Sequence, residues 1–256
     1  MSLSRFSLAG KTAIVTGSGR GLGRAIAKGM AEAGAAVVTC SRTASEAQAA
    51  ADEIRAAGGK AKGLRVDTSD REDCFRLVAD TLAEFGRLDI MVCNASIDSP
   101  GPAERIDQAT LEKILAINVG GYLYCCQAAY EPMAKQGGGA IVMTSSNGSL
   151  VAFPGIAAYC ASKGAVDQLV RTLAAEWAPR GIRVNAFNPG YMEHAMTGTE
   201  GYDQDPEIMD QVRRMTPMQR RGRVEEIVGP AIFLASDAAS FVTGVVLPVD
   251  GGWTAI

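Results

Sequence analysis

Two side chains suited to proton transfer, Tyr159 and Lys163, stand four positions apart in a segment whose pattern predicts a helix over 157–178. Residues at i and i+4 lie on one face of a helix, so this spacing makes the phenol and the ammonium neighbours. Because a nearby cation favours phenolate, we expect the pKa of Tyr159 to be lowered from roughly 10 toward neutrality. Such a phenol exchanges protons near neutral pH, although the same pair also arises by chance on a solvent-exposed helix.

The scaffold that must position this pair is predicted by short apolar runs that alternate with helical patterns along the chain. Most of the runs are apolar throughout, which favours strands covered on both faces. This alternation predicts one α/β domain over residues 1–256, with a parallel sheet between helices and no linker or repeat. The predicted strands are 12–16, 36–40, 61–66, 88–93, 140–144, 182–187 and 244–249, and the predicted helices are 21–33, 44–57, 70–85, 107–136, 157–178 and 224–235.

Composition and charge exclude several classes of protein. A net charge of -3 and a pI of about 5.4 give no basic surface for nucleic acid. No apolar run approaches the roughly 20 residues that a membrane span needs, and the N-terminal segment has no apolar signal-peptide core. We expect a cytoplasmic protein without a metal, because the cysteines form no CxxC pair and no cluster with the single histidine, His194. The cysteines are Cys40, Cys74, Cys93, Cys125, Cys126 and Cys160, and we expect most of them to be buried, reduced thiols.

A glycine-rich turn follows the first predicted strand and precedes the first predicted helix. Gly17, Gly21 and Gly23 allow the backbone to turn sharply and to approach a pyrophosphate at the helix N-terminus. The spacing is G-x-x-x-G-x-G rather than the commoner G-x-G-x-x-G, but its place between strand and helix favours a dinucleotide site.

The end of the second predicted strand indicates which dinucleotide is preferred. An acidic residue there accepts from the ribose of NAD, whereas an arginine suits the 2′-phosphate of NADP. The strand ends at Ser41 and Arg42 with no acid before Glu46, and Arg20 lies within the glycine turn. We therefore expect NADP(H) to be favoured over NAD(H), the alternative being that both arginines are ordinary surface charges.

Further candidate positions follow strands at the same predicted edge. Asp67, after the third strand, is a candidate contact for adenine, and Asn94 and Ala95 follow the fourth strand. Asp and Asn also favour ordinary turns, so both interpretations stay open. From Tyr191 to Thr216 the chain shows no clear periodicity, and at this edge of the sheet we interpret 191–216 as a substrate lid rather than a plain surface loop.

The ordered set of these segments resembles the short-chain dehydrogenase/reductase family over essentially the whole chain. The similar segments are TGSGRGLG (16–23), VD (66–67), CNAS (93–96), INVGG (117–121), MTSSNG (143–148), YCASK (159–163), NPG (188–190) and TGVVLPVDGG (243–252). Ser146 precedes Tyr159 by the interval usual in the family. The resemblance implies a seven-stranded, Rossmann-type doubly wound sheet and hydride transfer between nicotinamide and a carbonyl or alcohol.

The resemblance also implies roles for individual residues. Tyr159 would be the general acid or base, and Lys163 would lower its pKa and hold the nicotinamide ribose. Ser146 would polarise the substrate oxygen, and Asn118 would hold a water that relays protons toward Lys163. A homotetramer is the implied assembly. Together with the positions named above, the implied nucleotide site comprises Gly17, Arg20, Gly21, Leu22, Gly23, Arg42, Asp67, Asn94, Ala95, Tyr159, Lys163, Pro189, Gly190 and Met192.

Three departures from the family pattern are present in this sequence. Cys93 and Ser96 replace the first asparagine and the glycine of the usual NNAG, and Ser96 brings a side chain near the cofactor. His194 stands where a threonine is common, either as a hydrogen-bonding group or as a solvent-facing lid residue. The run IDSPGPAERI (97–106) is unlike that of the 3-oxoacyl-carrier-protein reductases.

These observations predict an NADP(H)-dependent oxidoreductase acting on a small carbonyl or secondary alcohol, with a hydroxylated substrate such as a polyol, sugar acid or hydroxy-ketone. The alternatives are a 3-oxoacyl thioester reductase and a catalytically silent NADP-binding protein. The presence of Asn118, Ser146, Tyr159 and Lys163 together favours an enzyme over the silent binder.

Overall fold

The strands predicted from sequence all form and pair as one parallel sheet. They are β1 (Thr12–Thr16), β2 (Ala36–Ser41), β3 (Lys60–Arg65), β4 (Ile90–Cys93), β5 (Gly139–Thr144), β6 (Ile182–Pro189) and β7 (Val246–Val249). The computed structural model of the chain describes residues 3–194 and 204–256, and within them the sheet has seven strands in the order β3-β2-β1-β4-β5-β6-β7. The predicted α/β, Rossmann-type doubly wound fold is confirmed.

The strand order reverses at β1, and this reversal creates a crevice. β1 pairs on one side with β2, Ile14 opposite Val38, and on the other with β4, Ile14 opposite Met91. The chain runs outward from β1 to β3 and then returns to β4, so the connections leave β1 and β4 in opposite directions. Ligands of open parallel sheets bind in the crevice that such a reversal leaves at the carboxyl ends of the strands.

Helices cover both faces of the sheet. Alternation along each strand sends Ile14 and Met91 into one apolar core and Val15 and Val92 into the other. In chain order the helices are α1 (Gly21–Glu32), α2 (Ala44–Ala56), α3 (Arg71–Phe85), α4 (Gln108–Leu115), α5 (Gly121–Lys135), α6 (Ala157–Trp177), α7 (Pro206–Met215) and α8 (Val228–Ala235). The first core packs against α3, α5 and α6, and the second against α1, α2 and α8.

The helix predicted over 107–136 is not continuous. A π-helical turn, Ala116–Gly120, separates α4 from α5 and contains Asn118. A π-turn adds one residue to a single turn inside an otherwise helical segment, and such turns occur often at functional sites. The prediction over 224–235 is also modified, because a 3-10 turn, Val224–Ile227, precedes α8.

The predicted lid, 191–216, is only partly an irregular segment. Its last part forms α7, in which Asp205 accepts hydrogen bonds from the amides of Glu207 (2.9 Å) and Ile208 (3.3 Å) and Pro206 occupies the first turn. Both are ordinary helix-start signals, and the expectation of no regular structure there was wrong. The central part of the predicted lid, 195–203, lies outside the described residues.

Two further expectations concern cysteines and membrane spans. All six cysteines are free thiols, five of them buried, and the Sγ atoms of Cys74 and Cys125 are 3.7 Å apart, the distance of a thiol contact rather than a disulfide.

None of the helices in the described part of the chain combines the length and the apolar character that crossing a membrane requires.

Candidate active site

Hydrogen bonds from Thr16, the last residue of β1, form the floor of the crevice. Its hydroxyl donates to the Val92 carbonyl (3.3 Å) and accepts from the amides of Asn94 (2.8 Å) and Ala95 (3.1 Å). The Asn94 side chain donates to the Thr16 carbonyl (3.0 Å) and accepts from the Thr144 hydroxyl (3.1 Å). This network joins the carboxyl ends of β1, β4 and β5, and it fixes the predicted positions Asn94 and Ala95 at the edge of the sheet.

The glycine turn fits a group that must approach the backbone closely. Gly17 has φ of 64°, and a Cβ on it would lie 2.9 Å from the Cα of Ala95. A Cβ on Gly23 would lie 2.4 Å from the Gly17 carbonyl oxygen and 2.5 Å from Nδ2 of Asn94. The turn leads directly into the amino end of α1, where unpaired amides and the helix dipole favour a phosphate. These residues fit the pyrophosphate of a dinucleotide.

A single cavity follows the crevice from the glycine turn to Tyr159. Its volume is about 710 Å³, within the usual range for a small-molecule site. Lys163 and Asn118 are buried behind its wall, while every other predicted catalytic or nucleotide-site residue lines it. These lining residues are Gly17, Arg20, Gly21, Leu22, Gly23, Arg42, Asp67, Asn94, Ala95, Ser146, Tyr159, Pro189, Gly190 and Met192.

One end of the cavity, which we call the arginine end, is formed by Arg20, Ser41, Arg42 and Glu46. Sequence reasoning placed Glu46 beyond the strand, but the start of α2 brings its carboxylate back to accept from the Ser41 hydroxyl at 2.9 Å. Glu46 also lies 3.7 Å from the Arg20 guanidinium, whereas Arg42 is exposed and has no ion pair within the described part of the chain. Arg42 is therefore the more available cation for an anionic ligand.

Asp67 lies both in a turn and at the cavity wall, so the structure is compatible with the turn and with the adenine contact that the sequence left open. One carboxylate oxygen accepts from the amide (3.0 Å) and the hydroxyl (2.7 Å) of Ser69, which makes an ordinary turn after β3. The same residue lines the cavity beside Val66 and Thr68. Its turn contacts hold the side chain at the cavity wall, so the structural and binding functions are compatible.

Ser146, Tyr159, Ser96, Asp98 and His194 line the opposite end of the cavity, which we call the reactive end. The Ser146 hydroxyl accepts from the Gly148 amide at 3.0 Å, as the cap of a short 3-10 turn after β5. The same hydroxyl donates to Oδ1 of Asn147 over a long distance of 3.5 Å. A hydrogen bond with Ser146 also acts on Tyr159, whose phenol pKa it lowers against the larger effect of burial.

Lys163 is fully buried one helical turn from Tyr159, as the spacing predicted. Its Nζ donates to the Thr144 carbonyl (2.8 Å) and to the Tyr122 hydroxyl (3.3 Å), and it lies 5.5 Å from the centre of the Tyr159 ring. Burial lowers the pKa of Lys163 to about 7, while the negative charge of Asp167 opposes that shift. The ammonium is thus directed at β5 and α5 rather than at the phenol oxygen.

The expectation that the pKa of Tyr159 is lowered was wrong. Burial raises the pKa of the Tyr159 phenol above its ordinary value, with a smaller upward contribution from the charge of Asp98. The expectation rested on a full positive charge beside the hydroxyl, but Lys163 has lost much of that charge to burial and is bound to Thr144. Spacing fixes which residues are neighbours and leaves open where the ammonium points.

Asn118 is fully buried, and its side chain is held at both ends. Oδ1 accepts from the Ile97 amide (2.9 Å), and Nδ2 donates to the Ile97 carbonyl (2.9 Å) and to the Ser162 hydroxyl (3.0 Å). These bonds fasten the loop after β4 to α6, next to Lys163. The structure therefore shows a positioning function for the Asn118 side chain.

The segment after β6 forms the remaining wall. Met192 is buried, its carbonyl accepts from Arg221, and it forms a bridge with Gly222. His194 is exposed, has φ of 48° and lines the reactive end together with Ser96. The structure places His194 at the rim of the cavity, exposed to solvent, and both interpretations of this residue stay open.

Sequence reasoning missed four residues that shape the site. Thr16 and Tyr122 are buried hydrogen-bonding groups inside regular elements, and Asp167 is a buried carboxylate that accepts from the Ser145 hydroxyl at 2.5 Å. Asp98 lies in a loop at the reactive end. Polar residues inside otherwise apolar segments, as at Tyr122 and Asp167, are the signal that could have found two of them.

Comparison with known proteins agrees with this geometry. The family model described as enoyl-(acyl carrier protein) reductase matches residues 17–254. The chain is 42% identical over 251 residues to a galactitol 2-dehydrogenase (L-tagatose-forming) of Cereibacter sphaeroides, covering 97% of each chain. It is 40% identical over 249 residues to a gluconate 5-dehydrogenase of Gluconobacter oxydans, covering 97% of this chain and 96% of that one.

The chain belongs to the short-chain dehydrogenase/reductase family. A solved gluconate 5-dehydrogenase from Burkholderia cenocepacia in complex with NADP and tartrate matches with a TM-score of 0.95 at 37% identity, over 100% of both chains. As a member of this family the protein is an NAD(P)-dependent oxidoreductase that acts on CH–OH groups of small alcohols. The family and the oxidoreductase function predicted from sequence are confirmed.

Proposed function

We propose that the enzyme oxidises a secondary alcohol of a small hydroxylated molecule, or reduces the corresponding ketone, with Tyr159 as general acid and base. The observation that supports this most directly is the shared cavity. Ser146 and Tyr159 line the same cavity as the glycine turn, and Lys163 is buried beneath the phenol ring. Proton exchange and nucleotide binding therefore meet in one space.

The chain's own residues account for the proton side of the reaction, while a bound nicotinamide supplies or accepts the hydride. The Ser146 hydroxyl lines the cavity and, as a donor to the substrate oxygen, would stabilise the negative charge that develops there. Because burial raises the pKa of Tyr159, its phenol keeps its proton at neutral pH and gives it to the ketone oxygen during reduction. In oxidation the phenol must first lose that proton, so alcohol oxidation should accelerate as the pH rises.

We further propose that NADP(H) is preferred over NAD(H). Support comes from the exposed guanidinium of Arg42 at the arginine end, and the related Burkholderia cenocepacia enzyme was solved with NADP. The ratio of kcat/KM for NADPH to that for NADH measures the preference. Arg42→Ala should lower this ratio about tenfold or more, by lowering kcat/KM for NADPH while leaving that for NADH unchanged. Arg180→Ala, at an exposed site outside the cavity, is the charge-matched control. A wild-type preference for NADH of about tenfold or more would overturn this assignment.

The experiment that tests the reaction is a panel of polyols, sugar acids and ketones, assayed with both oxidised and both reduced nucleotides. We expect at least one secondary alcohol to be oxidised with the oxidised nucleotide, and the corresponding ketone to be reduced with the reduced nucleotide. Tight binding of NADPH without turnover of any member would contradict the proposal.

A second candidate, reduction of a 3-oxoacyl thioester, has one observation in its favour, the acyl-carrier description of the matching family model. The loop after β4 differs from the pattern expected of such reductases, as the sequence indicated. Acetoacetyl-CoA with NADPH separates the two candidates. Turnover faster than that of every polyol or hydroxy-ketone would establish the thioester reductase instead.

We also propose a homotetramer in the cytoplasm. Large apolar side chains are exposed at Leu111 and Leu115 of α4 and at Phe241 and Ile256, and closed symmetric oligomers commonly bury such surfaces. The unbonded contact of Cys74 and Cys125 suits a reducing compartment. Light scattering at micromolar concentration tests the assembly, and a monomer would contradict it.

A further inference from the structure

The reactive end of the cavity contains a carboxylate, that of Asp98. Asp98 is half-buried, and its Oδ1 accepts from the amide of the next residue, Ser99, at 2.7 Å. Its loop is joined to the segment before α6 by a hydrogen bond from the Gly101 amide to the Gly155 carbonyl (2.8 Å). The carboxylate is close enough to the reacting phenol for its charge to raise the pKa of Tyr159. Asp98 and Tyr159 therefore line the same part of the cavity.

No lysine or arginine among the described lining residues balances this charge at the reactive end. The lining arginines, Arg20 and Arg42, belong to the opposite end with Glu46. Lys163 is behind the wall, with its Nζ bonded to Thr144 and Tyr122. The sequence of 195–203 contains no lysine or arginine. His194, at the rim, is the remaining lining side chain at this end that can become positive.

This arrangement distinguishes between two kinds of substrate. A half-buried carboxylate has lost part of its hydration, and desolvation raises the pKa of Asp98 accordingly. Hydroxyl groups restore its hydrogen bonds by donating to it, whereas a second carboxylate placed nearby is repelled in a poorly solvated space. The relatives include enzymes named for both kinds, a neutral polyol (galactitol) and a sugar acid (gluconate).

We propose that the substrate is an uncharged polyol or sugar, one hydroxyl of which faces Ser146 and Tyr159 while a neighbouring hydroxyl donates to Asp98, and that the same carboxylate disfavours sugar acids. This rests on the proposed function. In the oxidation, the carbinol carbon loses a hydride, with both electrons, to the oxidised nicotinamide. The hydroxyl proton leaves through Tyr159 to solvent, and the carbinol becomes a ketone.

The test compares two substrates with the same carbon chain, D-glucitol and D-gluconate, together with galactitol. For the wild-type enzyme we expect kcat/KM to favour the better neutral polyol over gluconate by about tenfold or more. Asp98→Asn should reduce that preference about tenfold, by improving gluconate and weakening the polyol, and should lower the inhibition constant of gluconate against the polyol. Asp98→Ser should change the preference in the same direction.

Glu104→Gln is the matched control, since it removes one negative charge from an exposed position just beyond the same loop. We expect the preference of this variant to stay within about twofold of wild type, because solvent screens the charge of Glu104. Thermal unfolding and nucleotide affinity of both Asp98 variants should match wild type, which excludes a folding defect.

Two results would overturn the inference alone. Wild-type turnover of gluconate equal to or faster than that of the polyols would overturn it while leaving the proposed oxidoreductase function intact. An unchanged preference in both Asp98 variants would do the same. If no member of the panel reacts with either nucleotide, the proposed function fails, and the inference fails with it.

Discussion

Replacing Tyr122 by phenylalanine should remove a contact that keeps Lys163 charged. The fully buried Tyr122 hydroxyl donates to the Thr144 carbonyl (3.0 Å) and accepts from Nζ of Lys163 (3.3 Å). Phenylalanine preserves the ring, over which Nζ lies 5.0 Å from the centre, and deletes only the oxygen. The ammonium would retain the Thr144 carbonyl as its acceptor.

The magnitude follows from the pKa of Lys163, which burial lowers to about 7. A hydrogen bond to a charged group contributes about 1.5–3 kcal/mol. One pKa unit corresponds to about 1.4 kcal/mol, so the pKa of Lys163 should fall by a further one to two units. The charged fraction at pH 7 would drop from about one half to below about one tenth. We expect the rate of ketone reduction to fall as the pH rises through this pKa, and this fall to occur at lower pH in Tyr122→Phe.

The assay is a pH titration of the lysine Cε resonances by ¹³C NMR, with the Lys163 signal assigned by its loss in Lys163→Arg. The pH profile of kcat/KM is measured in parallel. Tyr130→Phe is the control, because Tyr130 packs against Trp177 (ring centres 5.0 Å apart) away from the cavity. A Lys163 pKa in Tyr122→Phe within about half a unit of wild type would refute the reasoning, whatever happens to stability.

The glycine turn and the arginine end give two further predictions. Gly23→Ala places a Cβ 2.4 Å from a backbone oxygen and should weaken NADPH binding about tenfold or more. Gly229→Ala, at a helical site with nothing within 4 Å, should leave NADPH binding unchanged. Equal NADPH affinities of the two variants in a fluorescence titration would contradict a nucleotide site at the glycine turn. Glu46→Gln removes a negative charge beside Arg20 and should tighten NADPH binding severalfold relative to NADH binding. Glu53→Gln is the control, because Glu53 lies on α2 like Glu46 but pairs with Arg24 of α1, and it should leave both affinities unchanged. The same shift in both variants would show a general charge effect.

The sheet and the glycine turn could be predicted because their signals are local. Apolar runs bounded by turn residues fix the strands, and a glycine at 17 or 23 stands where a Cβ would strike backbone. α7 was missed although its signals are local too. Ile208, Val212 and Met215 recur at helical spacing after the start signals of Asp205 and Pro206, but the helix has only 10 residues, half of them polar, so the segment resembled a loop.

The electrostatics of the site could not be predicted, because they depend on contacts between distant segments. Spacing made Tyr159 and Lys163 neighbours, but the direction of the ammonium is set by the Thr144 carbonyl of β5 and by Tyr122 of α5. Asp98 lies in an irregular loop, and only the folded chain shows that it lines the reactive end. The π-turn at Asn118 also involves contacts between distant segments, since the Asn118 side chain is bonded to Ile97 and Ser162.

The central claim, that Tyr159 exchanges the substrate proton, is tested most directly by single-turnover hydride transfer in Tyr159→Phe. The account predicts a rate lowered roughly a hundredfold or more, with the NADPH dissociation constant within about twofold of wild type, because the ring and the cavity remain. Transfer at a near-wild-type rate in Tyr159→Phe would contradict it.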